Sequence, residues 1–142
     1  MARVDFYLLA AAGEPSRRLF ACRLAEKAYR LQHTVHILAV DRHQAEQLDE
    51  LLWTFRDGSF VPHEIVGARS DPEAAPVTIG VGAAEVRPGD LLINLTDEVP
   101  QRMSSFPRIA EIVTSDEDCR QKSRKRFADY RSQGSALQTH EL

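Results

Sequence analysis

No stretch of this 142-residue chain approaches the ~20 consecutive apolar residues that a helical bilayer crossing requires. Nor does it open like an exported protein: Met1-Ala2-Arg3-Val4-Asp5 puts an acid where the apolar region of a signal peptide begins, so a cytoplasmic location is expected. Cysteine is scarce. Cys22 and Cys119 are too few and too far apart for a disulfide framework, and they suit a reducing compartment. Positive charge is not in excess: 18 bases stand against 21 acids, a net charge of -3, which removes any whole-molecule field for gripping nucleic acid. A nucleotide-binding fingerprint is missing too. The one candidate, Gly80-Val81-Gly82-Ala83-Ala84-Glu85, lacks its third glycine, has no Walker lysine, and runs into Pro88-Gly89 where a phosphate-binding helix belongs.

Metal and catalytic constellations are equally thin. His33 and His36 flank the start of an apolar run with no third ligand near them, and His63-Glu64 has no histidine four positions on. His43 and His140 fall on solvated positions. Cys22 reads as a small buried hydrophobe, and Cys119 has no histidine beside it in sequence to activate it. No catalytic residue, metal ligand or cofactor is expected, and the chain does not read as an enzyme.

What is present is a folding pattern. Hydrophobic residues at 43% and charged ones at 27% are globular values, and the length suits one domain able to bury its own core. Val4–Leu9 reads as a strand closed by Ala11-Ala12-Gly13-Glu14-Pro15. Ser16 is the expected cap of a helix whose buried face is Phe20, Leu24, Ala28 and Leu31. Thr34–Val40 is a second strand, and Asp41 with Gln44 opens a second helix with Ala45, Leu48, Leu52 and Phe55 as its apolar stripe. Val77–Val81 and Leu91–Leu95 follow as strands separated by the turn Arg87-Pro88-Gly89-Asp90, with a polar loop from Gly67 to Pro76 before them. A short helix is expected between Asp97 and Phe106, a last strand at Ile109–Val113, and a last helix from Asp116 to Gln133 ended by Gly134, leaving 134–142 as a tail. Strand-helix alternation with apolar strands predicts a single α/β domain, a mostly parallel central sheet covered by helices on both faces.

Two surfaces stand out. Between Arg120 and Arg131 the last helix carries Arg120, Lys122, Arg124, Lys125, Arg126 and Arg131 against a single acid, Asp129. At about 100° per residue, Arg120, Arg124, Phe127 and Arg131 share one stripe, which sets an aromatic beside a row of guanidiniums. Such a patch suits a ligand with carboxylates and an apolar anchor. It also reads as a solvated basic face complementing the helix dipole, or as a small platform for single-stranded nucleic acid. The second surface runs Trp53-Thr54-Phe55-Arg56-Asp57-Gly58-Ser59-Phe60-Val61-Pro62-His63. Trp53 lies off the core stripe and Phe60 follows a turn, so the pair reads either as a partner interface or as a plug for the end of the core.

The segments Phe6-Tyr7-Leu8-Leu9, Ala45-Glu46-Gln47-Leu48-Asp49-Glu50-Leu51-Leu52-Trp53, Ser59-Phe60-Val61-Pro62-His63 and Leu92-Ile93-Asn94-Leu95 resemble the chi subunit of bacterial DNA polymerase III holoenzyme. So does the closing Arg124-Lys125-Arg126-Phe127-Ala128-Asp129-Tyr130-Arg131 with Gly134. The resemblance runs in matching order from about Val4 to Thr139. It implies a Rossmann-like, three-layer α/β/α fold that binds no nucleotide and acts as a non-catalytic adaptor in DNA replication. Chi subunits pair with the psi subunit, which tethers them to the clamp loader, and they bind the acidic C-terminal tail of single-stranded DNA-binding protein. Carried onto this chain, Trp53 and Phe60 fall on the psi-facing side, and Val113, Arg120, Arg124 and Phe127 fall on the tail pocket. Arg120 stands where a lysine can occur and Phe127 where tyrosine is frequent, so charge and ring are kept and a hydroxyl is lost. No membrane partner and no strong direct grip on nucleic acid are implied.

Overall fold

A computed structural model of the chain describes residues 3–67, 75–101 and 106–142. The chain forms β1 (Arg3–Leu8), α1 (Glu14–Arg30), β2 (Val35–Ala39), α2 (Arg42–Thr54), β3 (His63–Ile65), β4 (Val77–Val81), a short 3-10 turn (Ala83–Glu85), β5 (Leu91–Asn94), β6 (Arg108–Val113), α3 (Glu117–Ser132) and β7 (Ala136–Glu141). Among the described residues seven strands join one sheet in the order β3-β4-β2-β5-β6-β1-β7, and every pairing is parallel. Parallel neighbours demand a return across a face of the sheet, and the helices supply it. α1 and α2 cover one face, where Ala21, Ala25, Leu48 and Leu52 pack on Ile37, Ile79, Ile93 and Ile112. α3 covers the other, where Tyr130 and Phe127 meet Val4, Phe6, Leu92, Ile109 and Val113. The result is a three-layer α/β/α arrangement with both sheet faces buried. This is the expected fold class, with the sheet wholly rather than mostly parallel.

The caps of α2 and α3 fall where their residues predict. Asp41 Oδ1 accepts from the Gln44 amide at 2.8 Å, while the Gln44 side chain accepts from the Val40 amide at 2.7 Å. Asp116 caps α3 by accepting from the Cys119 amide, and it also takes the Gly13 amide at the head of α1. Hydrogen bonding to the Thr114 hydroxyl and to the Gly13 amide lowers the Asp116 pKa. α3 ends in a full Schellman motif: Gly134 at φ 81°, its amide on the Arg131 carbonyl, and the Ser135 amide on the Tyr130 carbonyl.

Three expectations are corrected. Ser16 does not cap α1. The helix begins at Glu14, with Gly13 at positive φ before it and Pro15 pre-set in its first turn, and the Ser16 hydroxyl donates back to the Ala12 carbonyl. The buried face of α1 is Ala21, Cys22, Ala25 and Ala28, because small residues let the helix sit close on the sheet. Phe20 and Leu24 lie at its margin, and Leu31, already past the helix end, is 60% exposed. Of the stretch between Asp97 and Phe106 where a short helix is expected, residues 97–101 are not helical and 102–105 lie outside the described residues. The Gly67–Pro76 loop likewise falls largely outside them.

The third correction matters most. Residues 134–142, read as a tail, hold β7, which pairs with β1 along its whole length. Its polar sequence hides an alternation. Leu137 points to the α3 core, while Gln138 accepts from Arg3 at 2.6 Å and His140 contacts the buried Asp5 carboxylate at 2.9 Å. The His140 ring also stacks on Tyr7, 5.0 Å between centroids and 18° between planes.

Candidate functional site

α3 is fixed in azimuth by a buried polar cluster. Arg126, one of the helix's six bases but on the stripe of Cys119, Ser123 and Tyr130 by helical spacing, turns inward and is 2% exposed. Its Nε lies 3.1 Å from Glu111 on β6, and the same carboxylate accepts from the Tyr130 hydroxyl at 2.6 Å and from Asn94 Nδ2 at 2.8 Å. Burial pushes the Glu111 carboxyl up, and Arg126, Tyr130 and Asn94 pull against that rise. The pair is a registry device more than a source of stability, because two desolvated charges roughly cancel their own attraction.

With Arg126 and Tyr130 turned in, Phe127 comes to rest beside β1, its ring tilted 56° on Phe6 at 5.2 Å. A groove of about 360 Å3 opens there. Phe6, Leu8 and Val113 form its apolar floor, Arg120, Ser123, Arg124 and Phe127 its α3 wall, and Thr139 and Glu141 its β7 wall. All four residues singled out on this side, Val113, Arg120, Arg124 and Phe127, therefore share one cavity. Both guanidiniums are available at its rim. Arg124 touches the exposed Glu117 at 3.2 Å, a solvated pair of small energy, and Arg120 has no carboxylate partner among the described residues. The remaining bases are spent elsewhere: Lys122 bridges Asp97 and Asp118 at 3.4 Å each, and Lys125 and Arg131 face solvent.

Sequence reasoning missed Phe6, Leu8, Ser123, Thr139 and Glu141 of this groove. Alternation along β1 would have put Phe6 and Leu8 on the face of Val4. Thr139 and Glu141 carried no signal once their segment was read as a tail.

The second surface lies at the other edge of the sheet. Trp53 at the end of α2 is 51% exposed and Phe60 is 68% exposed, with ring centroids 5.7 Å apart. Neither side chain plugs the core; Phe55, half-buried, does that work between them. Beneath Trp53, at 4.6 Å, lies His63, whose Nδ1 contacts the Val61 carbonyl and whose Nε2 contacts the Asp49 carbonyl. The loop between the two aromatics is tied to α1 by Glu26, which pairs with Arg56 at 2.8 Å and accepts from the Ser59 hydroxyl. Exposed rings on an anchored loop lose little freedom when a partner covers them.

The other candidate residues are structural in their surroundings. His36 is buried with Nδ1 against the Thr78 hydroxyl at 2.7 Å, and burial lowers its pKa to about 4. Burial likewise pushes the Cys22 thiol up to about 12. At the Gly80–Glu85 segment the Val81 amide is already taken by the Glu85 carboxylate at 2.7 Å, and a three-residue 3-10 turn stands where a helix dipole would face a phosphate. Among the described residues no group of three His, Cys, Asp or Glu side chains could hold a metal ion, and no helix is long and apolar enough to cross a membrane.

The family model described as DNA polymerase III chi subunit, HolC, matches residues 1–138 of the chain. A Pseudomonas aeruginosa protein named DNA polymerase III subunit chi is 44% identical over 142 residues, covering 100% of this chain and 98% of its own. Its Haemophilus influenzae namesake is 32% identical over 139 residues, covering 97% of this chain and 96% of its own. The Escherichia coli one is 30% identical over 144 residues, with 98% and 97% covered. The crystal structure of T4 UvsW superposes with a TM-score of 0.72 at 7% identity, over 99% of this chain and 41% of that one. At that identity the likeness speaks of fold alone.

Proposed function

The chain belongs to the DNA polymerase III chi subunit family, proteins of DNA replication, and from that premise we propose that it is a non-catalytic replisome adaptor. In this reading the groove between α3 and β7 takes the acidic C-terminal tail of single-stranded DNA-binding protein. Trp53 and Phe60 take the psi subunit, and through it the clamp loader. One observation carries the first half: Arg120 and Arg124 stand at the rim of a cavity whose floor is Phe6, Leu8 and Val113 and whose side is Phe127. Cations over an apolar slot suit a peptide end that combines carboxylates with a terminal aromatic. The exposed, anchored pair of rings supports the second half.

A nucleic-acid platform on the same helix is the rival. It is weakened by Arg126 being buried against Glu111, by Lys122 being held between two aspartates, and by the net charge of -3. Calorimetric titration with three probes decides between them: the tail peptide, the same peptide without its final aromatic, and an oligonucleotide. The adaptor reading expects heat from the first, much weaker binding of the second and none of the third. Equal binding of both peptides, or tight binding of the oligonucleotide alone, overturns it.

A further inference from the structure

The two edges of the sheet are not alike. β3 exposes only three residues of edge, whereas β7 exposes six, Ala136–Glu141, with no proline and no lysine to blunt them. A long open edge is a template for another strand unless something covers it.

Its register fixes which groups are free. The Leu142 amide donates to the Leu8 carbonyl at 3.1 Å, and Leu8 lies opposite Glu141. In a parallel pair the main-chain groups of alternate residues point to opposite sides. Gln138, His140 and Leu142 therefore turn their amides and carbonyls toward β1, while Leu137, Thr139 and Glu141 turn theirs outward. Among the described residues these outward groups have no partner. The same parity governs the side chains. His140 lies on the face of Tyr7, away from α3, whereas Leu137 packs into the α3 core and Thr139 and Glu141 line the groove. The residues whose side chains wall the groove are thus the residues that offer main-chain hydrogen bonds beside it.

We propose that an extended acidic peptide entering this groove adds to β7 as an eighth strand, main chain to main chain, while its apolar end sits against Phe127 and Val113. The proposal rests on the reading of the groove as a peptide site and names how the peptide is held. Charge complementarity selects the occupant: Arg120 and Arg124 overhang the same face. Main-chain pairing supplies affinity that does not depend on the ligand's side chains, and the groove supplies the selection.

The test uses the intact protein and a synthetic ten-residue peptide of aspartates ending in phenylalanine. Amide hydrogen exchange followed by nuclear magnetic resonance should show the Leu137, Thr139 and Glu141 amides slowed about tenfold or more on saturation. The amides of Gln138 and His140, already paired with β1, should change little. In parallel, peptides N-methylated at one amide at a time should lose binding at alternate positions only, those whose N–H faces β7. If the peptide binds, moving the Phe127 and Arg124 resonances, while the three amides stay unprotected and every N-methyl analogue binds alike, strand addition is wrong and the groove reading survives. If no peptide binds at all, both fail. Protection that rises with protein concentration in the absence of peptide would mean that a second copy of the chain fills the edge, and that also overturns the proposal.

Discussion

Replacing Phe127 by Ala and Arg124 by Glu should weaken binding of the acidic tail in two ways that salt can tell apart. Phe127 forms the side of a slot whose floor, Phe6, Leu8 and Val113, stays in place when the ring is removed. Full burial of a terminal aromatic there is worth roughly 1.5–3 kcal/mol, and one of its contact surfaces accounts for about half, so Phe127→Ala should cost about 0.8–1.5 kcal/mol, or about four- to twelvefold in Kd. None of that depends on ionic strength. Arg124 is exposed and among the described residues pairs only with the exposed Glu117, so its contribution to a ligand carboxylate is on the order of 0.2–1 kcal/mol. Reversing its charge roughly doubles the swing and adds to the field of Glu117, but only within a Debye length of about 10 Å at 0.1 M salt. Titrations at about 0.05 M and about 0.5 M salt should therefore show Phe127→Ala running parallel to the unmodified chain, uniformly weaker. Arg124→Glu should be weak at low salt and converge on it at high salt. Because Phe127 also packs on Phe6, the melting temperature of each variant is measured alongside, and a folded Phe127→Ala protein at the assay temperature is a condition of the comparison. Should Phe127→Ala flatten the salt dependence while Arg124→Glu leaves it intact, the division of labour argued here is wrong.

Four further outcomes are expected. Trp53→Ala or Phe60→Ala should weaken psi binding by about 2 kcal/mol or more with little change in melting temperature, since both rings are largely exposed; a large loss of stability would refute the interface. Arg126→Met should destabilise by about 3–5 kcal/mol by leaving Glu111 buried without its cation, and adding Glu111→Leu should recover only part of it, because the Tyr130 hydroxyl and the Asn94 amide then lose their acceptor, as read from chemical denaturation. Because His36 has its folded pKa lowered to about 4 from 6.5, the unfolded chain binds more protons between those values. Stability should thus fall as pH drops from 6.5 toward 4, and His36→Gln should flatten that slope. Glu141→Gln removes the one carboxylate that lines the groove among the described residues and should tighten the acidic peptide about two- to fivefold; no change would mean that the peptide does not pass β7.

The parts of the site that could be read in the sequence are those carried by one helix. Arg120, Arg124 and Phe127 are legible because helical spacing alone puts them on one side, and Asp41, Asp116 and Gly134 because caps are local chemistry. The rest depends on contacts distant in the chain. Glu111 sits in an apolar strand and gives no hint that it draws Arg126 inward from α3. β7 reads as polar because its outer edge and one face meet solvent, and its register against β1 joins residues more than a hundred positions apart. α1 misleads for a different reason. Its close approach to the sheet needs alanines, while the larger Phe20 and Leu24 spread along the margin.

The same topology accounts for where the surfaces lie. Open α/β sheets usually bind ligands beyond the carboxyl ends of their strands, yet here Glu85 occupies the Val81 amide and Asp97 and Glu98 border the cleft beside it, a setting that repels phosphate. The cations lie instead on α3, above β1 and β7 at one edge of the sheet. Trp53 and Phe60 lie at the other, against His63 of β3 and on the α2 face. Five to six strand spacings of about 4.8 Å set the two surfaces roughly 25 Å apart, and the sheet itself stands between their faces. Two partners held there would share no residue and no field within a Debye length, so their binding free energies would add rather than compete. That separation is what a bridging protein needs: occupancy of one surface leaves the other open.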